Sequence, residues 1–353
     1  MRNLSSLPIA AALIAVALAG ACSRSPEKGV LTITGAGATF PYPLYSKWFY
    51  EYSNAHPEVN FNYQSIGSGG GIRQITEGTV DFGATDAPMT DEEMARLPGP
   101  VLHIPTAIGA VAVVYHLKGV EGGLRLSPDV LAEIFLGKIR KWSDPKISSL
   151  NPGVALPPAD IVVVNRSDGS GTTDIFTHYL SAVSPEWNTK VGRGKSVRWP
   201  VGLGGKGNEG VAGAVRQTPG AIGYVELAYA TQNRMAMAAL RNREGNFVTP
   251  TLESTSAAAA GAAETMPADF RVSLVNAPGK ESYGICGFTW ILVPENPKDP
   301  AKGKAIVSFL QWAILDWQKM NAPLLYATLP DKVSKMADDA LRRIRHDGEA
   351  SRN

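Results

Sequence analysis

Apolar positions recur along this chain with two periods. Val59, Phe61 and Tyr63 alternate with polar residues as in a half-buried strand, whereas the apolar positions between 45 and 52 repeat at helical spacing. Together the two periods predict strands at 31–34, 59–63, 80–85, 111–115, 161–164, 221–225 and 288–293, and helices from Pro41 and at 128–135, 172–180, 301–320 and 332–345. Their alternation predicts an α/β fold with mostly parallel strands. The Ala-rich stretch 255–263 is expected to be a solvent-exposed excursion.

Glycine runs with serine and threonine stand where predicted strands end and helices begin. There are six such runs, and the three clearest lie at 34–40, 65–71 and 166–172. The first turn of a helix has N–H groups without partners and is the positive end of the helix dipole, so such ends bind anions. Three of them indicate a site for a small oxyanion. For the run at 202–208 we favour a simple turn of the chain over a part in that site.

Three charged residues sharpen this hypothesis. Arg166 follows an apolar strand and is expected to point into a cleft, where Asp168 can hold its guanidinium through two hydrogen bonds. The alternative for this pair is a surface salt bridge. Asp86 also ends a predicted strand, so it can share the same cleft. The alternative for Asp86 is a helix cap ahead of Thr90.

The first 21 residues have the pattern of a signal peptide. The uncharged run 7–19 is short for a membrane-spanning helix but fits the apolar part of a signal. It ends in Leu18-Ala-Gly-Ala-Cys22, either a lipobox with Cys22 as the lipidated first residue or an ordinary secretory cleavage site. We favour lipidation because one of only two cysteines stands there. Residues 22–30 are then a tether, and the protein is expected to be periplasmic or otherwise extracytoplasmic and anchored to a membrane by lipid. Cys286 is expected to be a buried thiol without a disulfide.

Charge and residue types exclude other classes of function. Without Arg2, the 34 Lys and Arg become 33 against 32 Asp and Glu, so the basic excess of nucleic-acid-binding proteins is missing. On the predicted helix, Ser170 and His178 lie about 12 Å apart, which rules out a catalytic triad with Asp174 between them. Five scattered histidines without a cysteine pair do not support a metal site. Phe40 stands where a dinucleotide fingerprint needs glycine. We therefore expect neither an enzyme nor a cofactor.

Five motifs, taken in order, resemble the substrate-binding protein of the bacterial phosphate-specific (Pst-type) ABC importer. They are Thr34-Gly-Ala-Gly-Ala-Thr-Phe-Pro41, Asp81-Phe-Gly-Ala-Thr-Asp-Ala-Pro88, Leu136-Gly-Lys-Ile139 with Trp142, Arg166-Ser-Asp-Gly-Ser-Gly-Thr172 and Pro219-Gly-Ala-Ile-Gly-Tyr-Val-Glu226. The resemblance runs from about Leu31 to beyond Leu329, and it is specific as a set. The departures are Thr85, where serine is common, and Gly69, where a second serine is frequent.

The resemblance implies a two-lobed periplasmic-binding-protein fold of type II that closes on one phosphate. Lobe one would comprise 31–109 plus 282–353, and lobe two 110–281. The closed protein would deliver phosphate to the permease subunits of an ABC transporter. Asp168 would orient Arg166. The implied phosphate ligands are the backbone N–H groups of Thr39 and Phe40 together with Ser68, Asp86, Arg166, Ser170, Gly171 and Thr172.

Asp86 is the residue that separates phosphate from sulfate in this hypothesis. An ionised carboxylate only accepts hydrogen bonds, so it accepts one from a phosphate O–H and repels the bare oxygens of sulfate. A receptor for sulfate or another oxyanion, a secreted phosphatase on the same scaffold, and a surface adhesion lipoprotein stay open as alternatives.

Overall fold

The computed structural model describes residues 29–345, so the predicted signal peptide 1–21, Cys22 and nearly all of the tether 22–30 lie outside the described residues. The strands are β1 Leu31–Gly37, β2 Val59–Ser65, β3 Phe82–Thr85, β4 Val101–Tyr115, β5 Arg125–Leu126, β6 Val162–Arg166, β7 Leu203–Gly205, β8 Ala221–Glu226, β9 Ala236–Met237, β10 Ala239–Arg241, β11 Phe247–Val248 and β12 Cys286–Pro294.

The helices connect these strands. They are α1 Tyr42–Ala55, α2 Ser68–Glu77, α3 Asp91–Met94, α4 Pro128–Phe135, α5 Pro145–Leu150, α6 Gly171–Val183, α7 Pro185–Lys190, α8 Gly207–Gln217, α9 Leu227–Gln232, α10 Leu252–Ala259, α11 Ala262–Thr265, α12 Pro300–Gln311 and α13 Asp331–Leu341. A π-helical turn Trp312–Asp316 and two 3-10 turns, Gln318–Met320 and Ala322–Leu324, lie between α12 and α13. Within residues 29–345, no helix combines the length and the apolar character that a membrane span requires.

One large sheet runs through the molecule in the order β2-β1-β3-β12-β4-β8-β6-β7, with β9 paired to β4. The strands β2, β1 and β3 are parallel at one end, and β8, β6 and β7 are parallel at the other. Between them β12 and β4 run antiparallel to each other and to their outer neighbours. A small second sheet contains β11, β10 and β5. The predicted α/β class is confirmed, and an antiparallel pair joins the two parallel groups.

β4 is the strand that belongs to both halves of this sheet. It is 15 residues long and buried throughout. Residues 101–110 pair with β12, and Val111 begins the pairing with β8 opposite Glu226. The sequence predicted only the last third of β4, because His103 and Pro105 interrupt the apolar pattern of its first part.

Aromatic packing fixes α1 on the sheet. The predicted apolar face of this helix is confirmed, since Tyr45, Trp48, Phe49 and Tyr52 are all buried. The Phe49 ring stacks on that of Phe61 in β2 at 4.9 Å between centroids. Because α1 begins directly after the loop of Thr39 and Phe40, this packing also fixes that loop.

Two predictions were wrong, one about the end of a helix and one about the alanine-rich stretch. The helix expected at 301–320 ends at Gln311, and in the following π-helical turn the N–H of Trp317 donates to the carbonyl of Trp312 at 3.1 Å. The wider turn lets the two indole rings stack at 4.5 Å between centroids. The Ala-rich stretch 255–263 is no exposed excursion, because it forms most of α10 and the start of α11, with several alanines buried. Alanine is the best helix former, and its small side chain allows close packing.

Candidate functional site

The loops that follow β1, β2, β3 and β6 meet in one buried place, where α1, α2 and α6 begin. Arg166 is the last residue of β6 and Asp86 directly follows β3, as the sequence predicted. Asp86 is not a helix cap, because Thr90 caps α3 together with Glu93. All residues predicted for the site are buried: Thr39, Phe40, Ser68, Asp86, Arg166, Ser170, Gly171 and Thr172.

Ser68 joins three of the converging segments through its hydroxyl. Its Oγ accepts the N–H groups of Gly171 and Asp86, each at 3.1 Å, and lies 3.3 Å from Oδ2 of Asp86. The start of α2 therefore touches both the start of α6 and the end of β3. This contact requires glycine at position 171, since a Cβ there would lie 2.6 Å from Ser68 Oγ and from the Cβ of Asp86.

Arg166 and Asp168 form the two-bond pair that the sequence predicted. Arg166 Nε donates to Oδ1 of Asp168 at 2.8 Å, and Nη2 donates to Oδ2 at 2.6 Å. The pair is no surface salt bridge, because only 1% of the Arg166 side chain and 13% of the Asp168 side chain are exposed. Burial acts to raise the pKa of Asp168, but the Arg166 guanidinium and the Gly207 N–H outweigh it and hold that pKa below its usual range. The pair is neutral as a whole, and it holds the Arg166 guanidinium in one orientation within the site.

Asn208 is a residue of this cluster that the sequence analysis missed. Its Nδ2 lies 2.8 Å from the Thr39 hydroxyl and 3.2 Å from the Thr172 hydroxyl, and its Oδ1 accepts the N–H of Glu226 at 2.9 Å. The run 202–208 thus does more than turn the chain, because it starts α8 beside the other helix starts. The available signal was an amide side chain directly after Gly207 at the start of a helical pattern.

Burial and hydrogen bonds act in opposite directions on the pKa of Asp86. Burial raises the pKa of Asp86 to about 7, although the hydrogen bond from Thr289 and the charge of Arg166 act in the opposite direction. Thr289 Oγ1 donates to Oδ1 of Asp86 at 2.9 Å. Thr289 was not among the predicted site residues, and its signal was a polar residue within the apolar strand β12. A carboxylate with a pKa near neutrality is stabilised by any further donor that reaches it.

The cluster is rich in groups that bind an anion. The N-terminal ends of α2, α6 and α8 meet there, and each offers backbone N–H groups and the positive end of a dipole. The guanidinium of Arg166 adds a full charge, and its Nη1 lies 3.3 Å from the Thr172 hydroxyl. Asp86 adds an acceptor. This combination suits a tetrahedral oxyanion that carries a proton on one oxygen.

The serines and histidine considered for catalysis have other partners. Ser170 Oγ accepts the N–H of Thr173 at 3.0 Å and so caps α6. The ring nitrogens of His178 lie 3.0 and 3.2 Å from Nη1 of Arg193, and burial together with that charge lowers the pKa of His178 to about 4. Across residues 29–345, no three His, Cys, Asp or Glu side chains are grouped so as to hold a metal ion. Cys286 is buried as predicted, and burial raises the pKa of its thiol to about 12.

Comparison with known proteins gives one consistent family. Residues 23–316 match the PBP superfamily domain. The chain is 49% identical over 307 residues to a phosphate-binding protein PstS of Xylella fastidiosa, which covers 87% of this chain and 84% of that protein. It is 47% identical over 305 residues to a phosphate-binding protein PstS of Haemophilus influenzae, which covers 86% and 90% of the two chains.

Solved structures share the fold at lower identity. A phosphate-binding protein from Stenotrophomonas maltophilia superimposes with a TM-score of 0.65 at 20% identity over 87% of this chain and 93% of that one. A high-affinity periplasmic phosphate-binding protein (PfluDING), solved with bound phosphate, gives a TM-score of 0.69 at 20% identity over 88% and 93%. These structures support the predicted type II periplasmic-binding fold.

Proposed function

The chain belongs to the PstS family of phosphate-binding proteins within the PBP superfamily, and on this premise we propose that it binds inorganic phosphate and delivers it to an ABC importer. The observation that carries the proposal is Asp86, a buried acceptor set among hydrogen-bond donors. A site made of donors alone would suit any oxyanion. An acceptor in the same site favours an anion that brings its own proton, which phosphate does near neutral pH.

The proposed ligands divide by chemistry. Backbone N–H groups of Thr39 and Phe40 donate to phosphate oxygens, and Arg166 supplies the compensating charge. The Gly171 N–H donates to Ser68 Oγ in this structure and would exchange that acceptor for a phosphate oxygen when the anion binds. The hydroxyls of Ser170 and Thr172 donate as well, and that of Ser68 does so once its proton turns from Asp86 Oδ2 to the anion. For Ser170 this is compatible with its capping role, because its oxygen accepts the Thr173 N–H and its proton is free to point into the site.

Discrimination against sulfate follows from the ionised form of the Asp86 side chain. In its ionised form Asp86 can only accept, so it pairs with a phosphate O–H and repels an unprotonated sulfate oxygen. Sites that depend on a hydroxyl of the ligand can discriminate by about 10⁴–10⁵-fold. The specificity thus rests on an unfavourable contact with the wrong anion as well as on a favourable contact with the right one.

The two-lobed division extends this proposal to a closing motion. We assign 31–109 plus 282–353 to lobe one and 110–281 to lobe two, which is consistent with the change of β4 from β12 to β8 after Ala110. The bonds from Asn208 to Thr39 and from Gly171 to Ser68 would then cross between lobes. Closure buries the anion and presents one composite surface to the permease subunits.

Export and anchoring complete the proposal. Residues 1–21 would direct the chain across the cytoplasmic membrane, and lipid on Cys22 would keep the mature protein beside that or another membrane. The support is the sequence Leu18-Ala-Gly-Ala-Cys22 itself. Labelling of cells with a radioactive fatty acid, compared between wild type and Cys22→Ala, tests this part directly.

Isothermal titration of the anion-stripped protein with phosphate and, separately, with sulfate tests the main proposal. One-to-one binding of phosphate with silent sulfate is the expected result. Equally tight sulfate binding would move the protein to another oxyanion system. Absence of heat with both anions would contradict the proposal, and turnover of a chromogenic phosphate ester would then support the phosphatase alternative.

A further inference from the structure

Three consecutive backbone carbonyls in the loop after β1 each accept a hydrogen bond from a tyrosine hydroxyl. The pairs are Tyr63 with the Ala38 carbonyl at 2.7 Å, Tyr229 with the Thr39 carbonyl at 2.6 Å, and Tyr326 with the Phe40 carbonyl at 2.7 Å. We name these three side chains the tyrosine clamp. They come from β2, from α9 and from the segment that follows the last 3-10 turn, so three separate elements converge on one stretch of backbone.

The carbonyls held by the clamp face away from the proposed ligand groups. In a trans peptide the C=O and N–H point in opposite directions. The Ala38 carbonyl shares its peptide with the N–H of Thr39, and the Thr39 carbonyl shares its peptide with the N–H of Phe40. Fixing a carbonyl therefore fixes the direction of the N–H on the same peptide. Donation to the carbonyl also polarises the peptide, which makes the N–H a stronger donor.

We propose that Tyr63 and Tyr229 are positioning residues for anion binding, which aim and strengthen the N–H groups of Thr39 and Phe40, and that Tyr326 anchors the end of the same loop. This inference rests on the proposed function, because it concerns the same anion site. Tyr326 acts less directly, since the peptide between Phe40 and Pro41 carries no N–H.

Glu226 supports the clamp from the start of α9 and lies beside the Tyr326 hydroxyl. Oε2 of Glu226 lies 3.1 Å from that hydroxyl, whose one proton is directed at the closer Phe40 carbonyl. The same Oε2 accepts the N–H of Ala228 at 2.8 Å, so Glu226 caps α9, the helix that carries Tyr229. Burial raises the pKa of Glu226 well above its ordinary value, and within residues 29–345 its Oε1 has no hydrogen-bond partner, so a neutral carboxyl fits this place.

Tyr229 differs from the other two tyrosines in its position. Tyr63 and Tyr326 lie in the proposed lobe one, as the clamped loop does, whereas Tyr229 lies in the proposed lobe two. The first two bonds can hold the loop before an anion arrives. The bond of Tyr229 to the Thr39 carbonyl then forms on closure, so the N–H of Phe40 reaches its full donor strength only in the closed form.

Phosphate titrations of the Tyr63→Phe, Tyr229→Phe and Tyr326→Phe variants test the clamp. The matched control is Tyr283→Phe, because Tyr283 is buried like Tyr229 and Tyr326, and its hydroxyl also donates to a carbonyl, that of Val111 at 3.0 Å. We expect Kd for phosphate to rise about tenfold for the first two variants, less for Tyr326→Phe, and not at all for the control. Melting temperatures measured beside Kd separate loss of fold from loss of positioning.

Amide resonances give a readout that loss of stability alone would not move. On addition of phosphate, the downfield shift of the Thr39 amide proton is expected to shrink in Tyr63→Phe, and that of Phe40 in Tyr229→Phe. Glu226→Gln keeps an acceptor for the Ala228 N–H and is expected to retain most of the phosphate affinity. Glu226→Met removes that acceptor at the start of α9 and is expected to behave like Tyr229→Phe.

The outcomes distinguish this inference from the proposed function. Wild type that binds phosphate, together with tyrosine variants that bind equally well and show unchanged amide shifts, overturns the clamp alone. Wild type that binds no phosphate overturns the proposed function and the clamp with it.

Discussion

The hydroxyl oxygen of Ser68 lies 3.1 Å from the backbone nitrogen of Gly171, although the two residues are 103 positions apart in the chain. Each residue belongs to the start of a helix, so the contact brings the N-terminal ends of α2 and α6 together. Two positive helix ends repel each other unless an anion or an acceptor lies between them. The Ser68 oxygen supplies such an acceptor here, and an anion bound beside it would act in the same direction.

A methyl group at position 171 is expected to break this contact. In Gly171→Ala the new Cβ would lie 2.6 Å from Ser68 Oγ and 2.7 Å from Oδ2 of Asp86, so one of the segments must move. We expect phosphate affinity to fall by about 100-fold or more, equivalent to about 3 kcal/mol. Gly213→Ala in α8 is the control, because a Cβ there meets no atom within 4 Å. Calorimetry that gives both variants the wild-type Kd would contradict the packing argument.

Removal of the charge at position 86 is expected to narrow the preference for phosphate over sulfate. The side-chain amide introduced by Asp86→Asn can donate to a bare sulfate oxygen, which the ionised carboxylate cannot do. In wild type, sulfate affinity is expected to rise as pH falls through about 7, since Asp86 then takes up a proton and becomes a donor. The variant is expected to lose this pH dependence. Sulfate titrations between about pH 5.5 and 8.5 check both parts. A variant with the wild-type ratio of phosphate affinity to sulfate affinity would contradict the role given to Asp86.

Local sequence patterns predicted part of this site, but they could not predict residues whose contacts depend on segments far apart in the chain. Arg166 and Asp86 could be placed at strand ends because apolar runs stop there. Asn208 and Thr289 could not, since their contacts depend on how α8 and β12 pack against segments more than 100 residues away. The same reason hid two thirds of β4: Pro105 argues against a strand locally, and pairing with β12 overrides it.

The hydrogen bonds from tyrosine hydroxyls to the carbonyls of the loop after β1 could not be predicted from the sequence either. Tyr63 was recognised only as an apolar position of a strand, and its hydroxyl bond to Ala38 follows from the register of β2 against β1. The eight predicted ligands came from a resemblance to known motifs. Their burial in one cluster is a property of the fold that periodicity does not contain.

Asp168 is expected to act on the anion mainly through Arg166, although its Oδ1 also accepts the Gly207 N–H at the start of α8. Asp168→Asn keeps the shape of the side chain but removes the charge and one of the two acceptors that fix the guanidinium. We expect phosphate Kd to rise about tenfold to 100-fold, because a freely rotating Arg166 must be ordered again on binding. Asp160→Asn, at an exposed ion pair with Lys141, is the control and is expected to leave Kd unchanged. Equal Kd values for both variants would contradict the orienting role.

Lys195 is expected to slow the release of phosphate. Its Nζ lies 2.8 Å from Oε2 of Glu93, with only 15% and 24% of the two side chains exposed, so the ion pair is shielded from water. In the proposed division it joins the two lobes. Lys195→Met is expected to raise the dissociation rate several-fold, equivalent to about 1 kcal/mol, with a smaller change in the association rate. Lys138→Met, at an ion pair with Glu186 inside lobe two, is the control for stopped-flow measurements. Equal dissociation rates in the two variants would argue against a role of the Lys195–Glu93 ion pair in holding the lobes closed.

His103 is expected to make the protein less stable in mild acid. Its Nε2 accepts the N–H of Met89 at 3.1 Å, and burial together with the charge of Arg271 lowers its pKa to about 4. In the unfolded chain a histidine takes up its proton near about pH 6.5, so protons favour the unfolded state as pH falls from there to about 4 and add nothing further below that. The free energy of unfolding should therefore fall by up to about 3 kcal/mol across this range.

His103→Gln tests this because glutamine keeps an acceptor for Met89 and does not titrate. Urea unfolding of wild type and variant between about pH 7.5 and 4 should show a shallower fall in the variant, by the contribution of one proton. His56→Gln removes a histidine from the partly exposed end of α1 and controls for the loss of one ring. Parallel curves for wild type and His103→Gln would mean that position 103 is protonated in the folded protein as readily as in the unfolded chain, against the hydrogen bond from Met89.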